Sequence, residues 1–390
     1  MAPGQGAQTP GFLTPWLELP EFEARIDWLS TVSGLDLAHY GSRADADTLR
    51  DTAIAQPLLV AAGLVSAVTL FPHPADAFGR IGAVAGHSVG ELTAAAGSRV
   101  ITAEQAMVLV RERGKAMAAA ATVRQTGMSA VLGGDPDDVL ATLERHDLTP
   151  ANINGAGQIV AAGTAEQLAA LAEEPPTKAR IRALSVAGAF HTEHMGPAVD
   201  TLARLARAVS THDPRTPIIS NADGKIVHHG ADVITRIVRQ VSAPVRWDLC
   251  METMADLGVT GILEVPPAGT LVGLAKRALP GIETFALNTP DQLDEARAFA
   301  DRHGTASQIN TTPTWRMLVA PAKGTFTRTD LSEGEILAPA AEIGSVASLR
   351  DCTPVVAPHG GVIVEWLVED GDLVSPGQPL IRLHPEGVPA

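Results

Sequence analysis

Cysteine, aromatic residues and clustered positive charge are all scarce in this chain. Only Cys250 and Cys352 occur in 390 residues. They are too few and too far apart for a disulfide framework or a cysteine-based zinc site, which fits a reducing cytoplasm and predicts no metal. Aromatics make up 4% of the sequence and tyrosine occurs once, so the core has to be packed from Ala, Val and Leu. The formal charge is -15 and no stretch is strongly basic, which argues against a nucleic-acid partner. No basic-then-apolar leader opens the chain, and Gly, Pro or charge interrupts each apolar run, so neither a membrane span nor a membrane partner is expected.

What is present describes a packed protein, with 45% hydrophobic and 19% charged residues. The length suits a large catalytic core with at least one smaller unit. From Asp51 to Met117 the pattern predicts an apolar helix over Gln56–Leu70, a buried strand over Ile81–Ala85 and helices over Glu91–Ala96 and Ala103–Ala120, an α/β arrangement. Residues 126–187 read instead as strand, helix, two strands, helix, strand, ending in Arg180–Val186, the order of a ferredoxin-like subdomain. Because helices and apolar strands resume after His191, this looks like an insert in a discontinuous core of residues 1–125 and 188–303. A Thr/Ser/Asn-rich segment, 304–314, reads as a linker. Beyond it, Val319-Ala320-Pro321, Gly324, Gly334 and Pro339 recur 37 positions later as Val356-Ala357-Pro358, Gly361, Gly371 and Pro376, which predicts a pseudo-twofold β unit over 315–390.

Between the predicted strand and helix lies Gly86-His87-Ser88-Val89-Gly90. A serine between glycines at such a junction is a nucleophile elbow: the turn lifts Oγ above the sheet, and the following helix offers the Val89 N–H to an oxyanion. Serine needs a base at neutral pH, and twelve histidines are available. His191 and His194, in the loop after the predicted insert, are the best placed.

Six ordered motifs then carry a resemblance. Pro3-Gly4-Gln5-Gly6, Gln56-Pro57, Gly86-His87-Ser88-Val89-Gly90-Glu91, Arg113-Gly114-x-x-Met117, Ala189-Phe190-His191-Thr192-x-His194 and Val238-Arg239-Gln240 with Pro244-Val245-x-Trp247 resemble, over residues 1 to 300, the malonyl-CoA:acyl carrier protein transacylases of fatty-acid synthesis. They are also similar to the acyltransferase domains of polyketide synthases. The resemblance implies an α/β-hydrolase-like core and transfer of malonyl from malonyl-CoA to the 4'-phosphopantetheine thiol of an acyl carrier protein, with no cofactor of the protein's own. Ser88 would be acylated and His191 would be the base, held by the main-chain carbonyl of Gln240. Gln5 and Val89 would form the oxyanion hole, and Gln56, His87, Asn154, Gln158 and Phe190 would line the pocket. Arg113 would clamp the malonyl carboxylate, which only a planar guanidinium grips with two parallel bonds. By the same resemblance, Phe190 and Val89 would favour malonyl over methylmalonyl. Lys276, Arg277, Arg236 and Arg239 are candidates for a basic face toward an acidic carrier. The runner-up reading is a serine thioesterase.

Two departures stand out. Only Met1 and Ala2 precede Pro3 where the family has a leading strand, so a core strand is expected to be missing or the start misassigned. Glu264-Val265-Pro266-Pro267-Ala268-Gly269 replaces the usual glycine-rich segment. The C-terminal unit resembles a biotinyl/lipoyl barrel-sandwich domain through Val356-Ala357-Pro358-x-Gly360-Gly361 and Glu369-Asp370-Gly371-Asp372. Counting back from Pro358 puts Arg350 at the hairpin tip where that family carries its modified lysine, so an unmodified docking or spacer module with a partner of its own is expected.

Overall fold

Polar side chains start the long helices. In the computed structural model, residues 1–72, 74–304, 316–349 and 351–384 are described, and the chain divides into two units, Met1–Ile309 and Asn310–Ala390. Asp51 accepts the N–H of Ala53, which starts the first long helix at Thr52, four residues before the apolar run that predicted it; it continues to Leu70. Thr102 and Gln105 exchange bonds across the first turn of Ala103–Ala121, a capping box. These two helices pack on each other, and Pro20–Ser33, an element the sequence reading lacked, covers both.

One expectation is corrected by the helix Thr52–Leu70. Its 19 residues are long and apolar enough to cross a bilayer by length and composition, despite Pro57 and Gly63. Within the fold 72% of its apolar window is buried among neighbouring elements, as in a helix that is apolar all round and sits in a core.

The sheet beneath the site is built from very short strands. Ile81 donates its N–H to Ala77 and finishes the helix Pro74–Arg80, so the strand expected over Ile81–Ala85 shrinks to Val84–Ala85. That strand runs parallel to Ile218–Ile219, which pairs antiparallel with Ile226–Val227. On the other side Ala2 bridges Gly86 in parallel, and the Met1 carbonyl accepts the Val265 N–H at 3.0 Å. Val265 follows the strand Gly261–Glu264, itself parallel to Glu283–Ala286. Met1 and Ala2 form no strand, yet this isolated bridge and the Met1 contact span the gap between the two sheets and hold Pro3–Gly6 beside the elbow. In the unusual Glu264–Gly269 segment, the buried Glu264 carboxylate accepts the N–H groups of Gly269, Leu271 and Val272, capping the helix Thr270–Ala278.

Residues 126–183 form strands Thr126–Gly133, Thr149–Gly155, Gln158–Thr164 and Ala179–Ala183, with helices Pro136–Arg145 and Ala165–Glu173 between them. In space the fourth strand lies beside the first, then the third, then the second. A fifth place is taken by Val245–Arg246, parallel to Thr149–Gly155, so the main body contributes an edge strand to this sheet. The last strand ends at Ala183, short of the expected Val186, and the chain then turns toward His191.

Among its described residues the C-terminal unit contains eight strands in two four-stranded sheets. The strands Arg316–Val319, Gly324–Arg328, Ile336–Leu337 and Ala341–Ala347 of the first copy correspond, 37 residues on, to Cys352–Ala357, Gly361–Trp366, Leu373–Val374 and Pro379–His384 of the second. One sheet holds the first and third strands of the first copy with the second and fourth of the second; the other sheet holds the remainder. Phe326, Ile343, Leu380 and Ile381 fill the space between them. The expected linker, apart from Gly304, and the hairpin-tip position Arg350 lie outside the described residues.

Candidate active site

Ser88 lies three positions after the strand Val84–Ala85 and precedes the helix Gly90–Gly97. Its φ is +54°, a left-handed backbone that a non-glycine residue holds only when its surroundings enforce it. The flanking glycines are required sterically: a Cβ on Gly86 would lie 1.9 Å from the carbonyl carbon of Gly90, and one on Gly90 would lie 2.3 Å from the Ala2 carbonyl oxygen. The N–H groups of Val89 and Gln5 find no hydrogen-bond partner among the described residues.

Two side chains from distant elements meet at the Ser88 hydroxyl. Nε2 of His191 lies 2.9 Å from Oγ. Nδ1 of the same ring lies 2.8 Å from the carbonyl of Gln240, the last residue of the helix Gly230–Gln240. A carbonyl can only accept, so Nδ1 carries the proton and Nε2 is left to take one from Ser88. Burial, and then the positive charge of Arg113, push the His191 imidazole down to about 3, which keeps it neutral. Arg113, on Ala103–Ala121 and only 1% exposed, donates from Nη2 to Ser88 Oγ at 3.1 Å. Its Nη1 has no partner among the described residues. Burial lowers this guanidinium to about 10, opposed by Glu91, so it stays charged at neutral pH.

The expected pocket residues divide. Gln56 is buried, with Nε2 3.3 Å from Gln5 Oε1 and 3.6 Å from Met117 Sδ, and its own Oε1 unpartnered. His87 pairs through Nε2 with Asn154 Oδ1 at 3.0 Å and stands edge-on to Trp247; burial holds it below the usual imidazole range. Phe190 is buried next to His191. Among the described residues no hydrogen bond joins Gln158 to this cluster; it pairs across the tight turn with Gly155, beside Asn154, begins its strand opposite Leu132, and lines a cleft of about 220 Å³ with Val139, Ile153 and Asp248. Among the basic candidates, Arg236 is already paired with Asp223 at 2.7 Å, while Lys276 and Arg277 are exposed on the last turn of Thr270–Ala278.

Asn221 and the role of Glu91 were not anticipated from sequence. Asn221 sits in a Ser-Asn-Ala-Asp-Gly turn, whose composition explains itself as a turn and hides a buried contact to the elbow. Its Oδ1 accepts the Ser88 N–H at 2.7 Å, and its Nδ2 donates to the Gly86 carbonyl at 2.8 Å.

Comparison with known proteins identifies the family. Residues 1–303 match the family model described as Acyl transferase domain. The chain is 51% identical over 295 residues to the malonyl CoA-acyl carrier protein transacylase of Mycobacterium tuberculosis, covering 76% of this chain and 97% of that one. It superposes on the crystal structure of the enzyme from the same organism with a TM-score of 0.73, at 51% identity and over 76% and 98% of the two chains. A malonyl-transacylase solved in complex with a type II polyketide acyl-carrier protein superposes with a TM-score of 0.70 at 30% identity, over 76% and 97%. Residues 1–303 thus place the chain in the acyl transferase domain family, among its malonyl CoA-acyl carrier protein transacylases.

Proposed function

We propose that the protein moves malonyl from malonyl-CoA to the phosphopantetheine thiol of an acyl carrier protein through a malonyl ester on Ser88. The observation that carries this reading is the convergence of His191 Nε2 and Arg113 Nη2 on one hydroxyl, with Arg113 Nη1 left without a partner. A buried guanidinium with an unused donor next to a nucleophile suits a substrate that carries its own carboxylate.

His191 takes the Ser88 proton as Oγ attacks the thioester carbonyl. The oxyanion is received by the N–H groups of Val89 and Gln5. Collapse expels the CoA thiolate, which recovers the proton from Nε2. The carrier thiol next gives its proton to His191 and attacks the serine ester, and Ser88 leaves with that proton. Throughout, the Gln240 carbonyl holds the imidazole by its other nitrogen. Gln56 and the His87–Asn154 pair bound the acyl pocket. Phe190 and Val89 narrow it beside the substrate α-carbon, a preference of about 1–3 kcal/mol against one extra methyl. The chemistry needs no resident cofactor, since the acceptor brings its own phosphopantetheine.

The fold reading that accompanies this is an α/β-hydrolase-like core, a ferredoxin-like insert over 126–187, and a biotinyl/lipoyl-like barrel-sandwich over 315–390 that serves as an unmodified docking or spacer module. Unpaired Cys250 and Cys352 favour a cytoplasmic setting. Incubation with labelled malonyl-CoA, with and without a holo acyl carrier protein, tests the function. Label should appear on Ser88 and then move to the carrier; label released only as free malonate points to the thioesterase instead.

A further inference from the structure

The left-handed backbone of Ser88 needs something to enforce it, and the glycines around it permit the turn without imposing it. The enforcing contact comes from a different part of the chain. The turn after Ile218–Ile219 places Asn221, fully buried, against the elbow. One carboxamide there makes two bonds to residues on either side of His87: Oδ1 accepts from the Ser88 N–H at 2.7 Å and Nδ2 donates to the Gly86 carbonyl at 2.8 Å. The main chain of Asn221 is fixed in turn, because its N–H donates to Glu91 Oε1 at 2.8 Å. The same turn is held from behind by Cys250, whose thiol donates to the Ser220 carbonyl at 3.4 Å.

We infer that Asn221 is a positioning residue for the transfer reaction: its carboxamide, bridging the Gly86 carbonyl and the Ser88 N–H, sets the direction in which Ser88 presents Oγ to His191 and Arg113. A second effect follows from the same bond. Because the Ser88 N–H is already committed to Asn221, it cannot turn toward a substrate oxyanion, and the Val89 N–H is the elbow amide left to do so. Glu91 supports the arrangement without competing for Arg113. Burial raises its carboxyl to about 8, so at neutral pH it is protonated and leaves the guanidinium charge to the substrate.

This inference rests on Ser88 being the acylated residue. It is tested in the full chain by single-turnover acylation with labelled malonyl-CoA, alongside calorimetric binding of malonyl-CoA to Ser88→Ala and to Ser88→Ala/Asn221→Ala. Losing two bonds to the elbow should slow acylation in Asn221→Ala by about 100-fold, while the dissociation constant changes by less than about threefold, since the carboxamide does not touch the acyl pocket. Asn221→Asp keeps the acceptor oxygen and loses the donor, so its rate should fall between the other two. A folded Asn221→Ala that acylates within about threefold of the parent overturns the inference, as does a weakening of binding as large as the rate loss. If Asn221→Ala does not fold, a folded Asn221→Asp at the parent rate overturns it; failure of both to fold reduces Asn221 to a structural role and does the same. Absence of label from Ser88 in the parent itself would instead remove the proposed function.

Discussion

Ser88 Oγ lies 2.9 Å from His191 Nε2 although 103 positions separate the two residues, and both hold left-handed backbones, at φ +54° and +62°. Strained backbone on both partners of one hydrogen bond marks the point at which the fold is bent to serve chemistry. Replacing His191 with Ala should slow acylation of Ser88 by about 100- to 10,000-fold, the usual contribution of a positioned base. Rapid-quench measurement of the labelled ester checks this, and a loss below tenfold would assign the base elsewhere.

Arg113→Ala should separate substrates. Removing two charge-assisted bonds to a carboxylate should lower kcat/KM for malonyl-CoA by about 100-fold or more. Transfer of a neutral acyl group such as acetyl should change far less. Equal losses on both substrates would exclude the carboxylate clamp.

The pH profile should lack an ordinary histidine limb. With His191 held near 3 by burial and by Arg113, the free protein already has its base neutral at pH 5. The kcat/KM for malonyl-CoA should therefore stay level between about pH 5 and 7. A fall centred near the unperturbed value of about 6.5 would contradict the buried, cation-flanked imidazole.

Stability should respond to pH in the opposite sense through Glu91. Its carboxyl rises from 4.5 in the free side chain to about 8 in the fold, so the folded state holds a proton the unfolded chain has released. That contribution is complete below pH 4.5 and disappears as pH climbs through 8. The His191 contribution is present above its unfolded value of 6.5 and is lost as pH falls toward 3, so above 6.5 Glu91 acts without it. The buried Met1 ammonium, lowered from 8.0 to about 6, adds the opposite slope over this range in both proteins, so between pH 6.5 and 8.5 the melting temperature of Glu91→Gln should rise relative to that of the parent. Parallel curves for both proteins would show that Glu91 is ionised throughout.

Gly90→Ala probes the contact between the elbow and the start of the chain. The new methyl would sit 2.3 Å from the Ala2 carbonyl oxygen, an overlap that should destabilise the protein by about 1–3 kcal/mol. Denaturant unfolding measures it. An unchanged midpoint would mean that Met1 and Ala2 are not seated against the sheet.

Much of the site could be read from sequence because its key residues sit in local patterns. The glycine pair around Ser88, the Arg113-Gly114 step and the Ala189-Phe190-His191 run each leave a recognisable trace. Helix interiors were legible for the same reason, while boundaries moved with single side chains, as Asp51 shows by starting its helix early. Strand lengths were less legible: two-residue strands such as Val84–Ala85 have no period to detect. Asn221 escaped because its role exists only after Ile218–Ile219 pairs beside Val84–Ala85, a long-range fact that a polar turn does not announce.

The exchange of strands between the two sheets of the C-terminal unit has a consequence for any attempt to divide it. Each 37-residue copy places two of its four strands in either layer, so a chain cut between Ala347 and Cys352 would give two fragments, each with open edges in both layers. Only pairing with its mate, or with a duplicate of itself, would satisfy those edges. A lone copy is thus half of an interlocked pair, and the symmetry seen here within one polypeptide is that of a dimer of identical short chains.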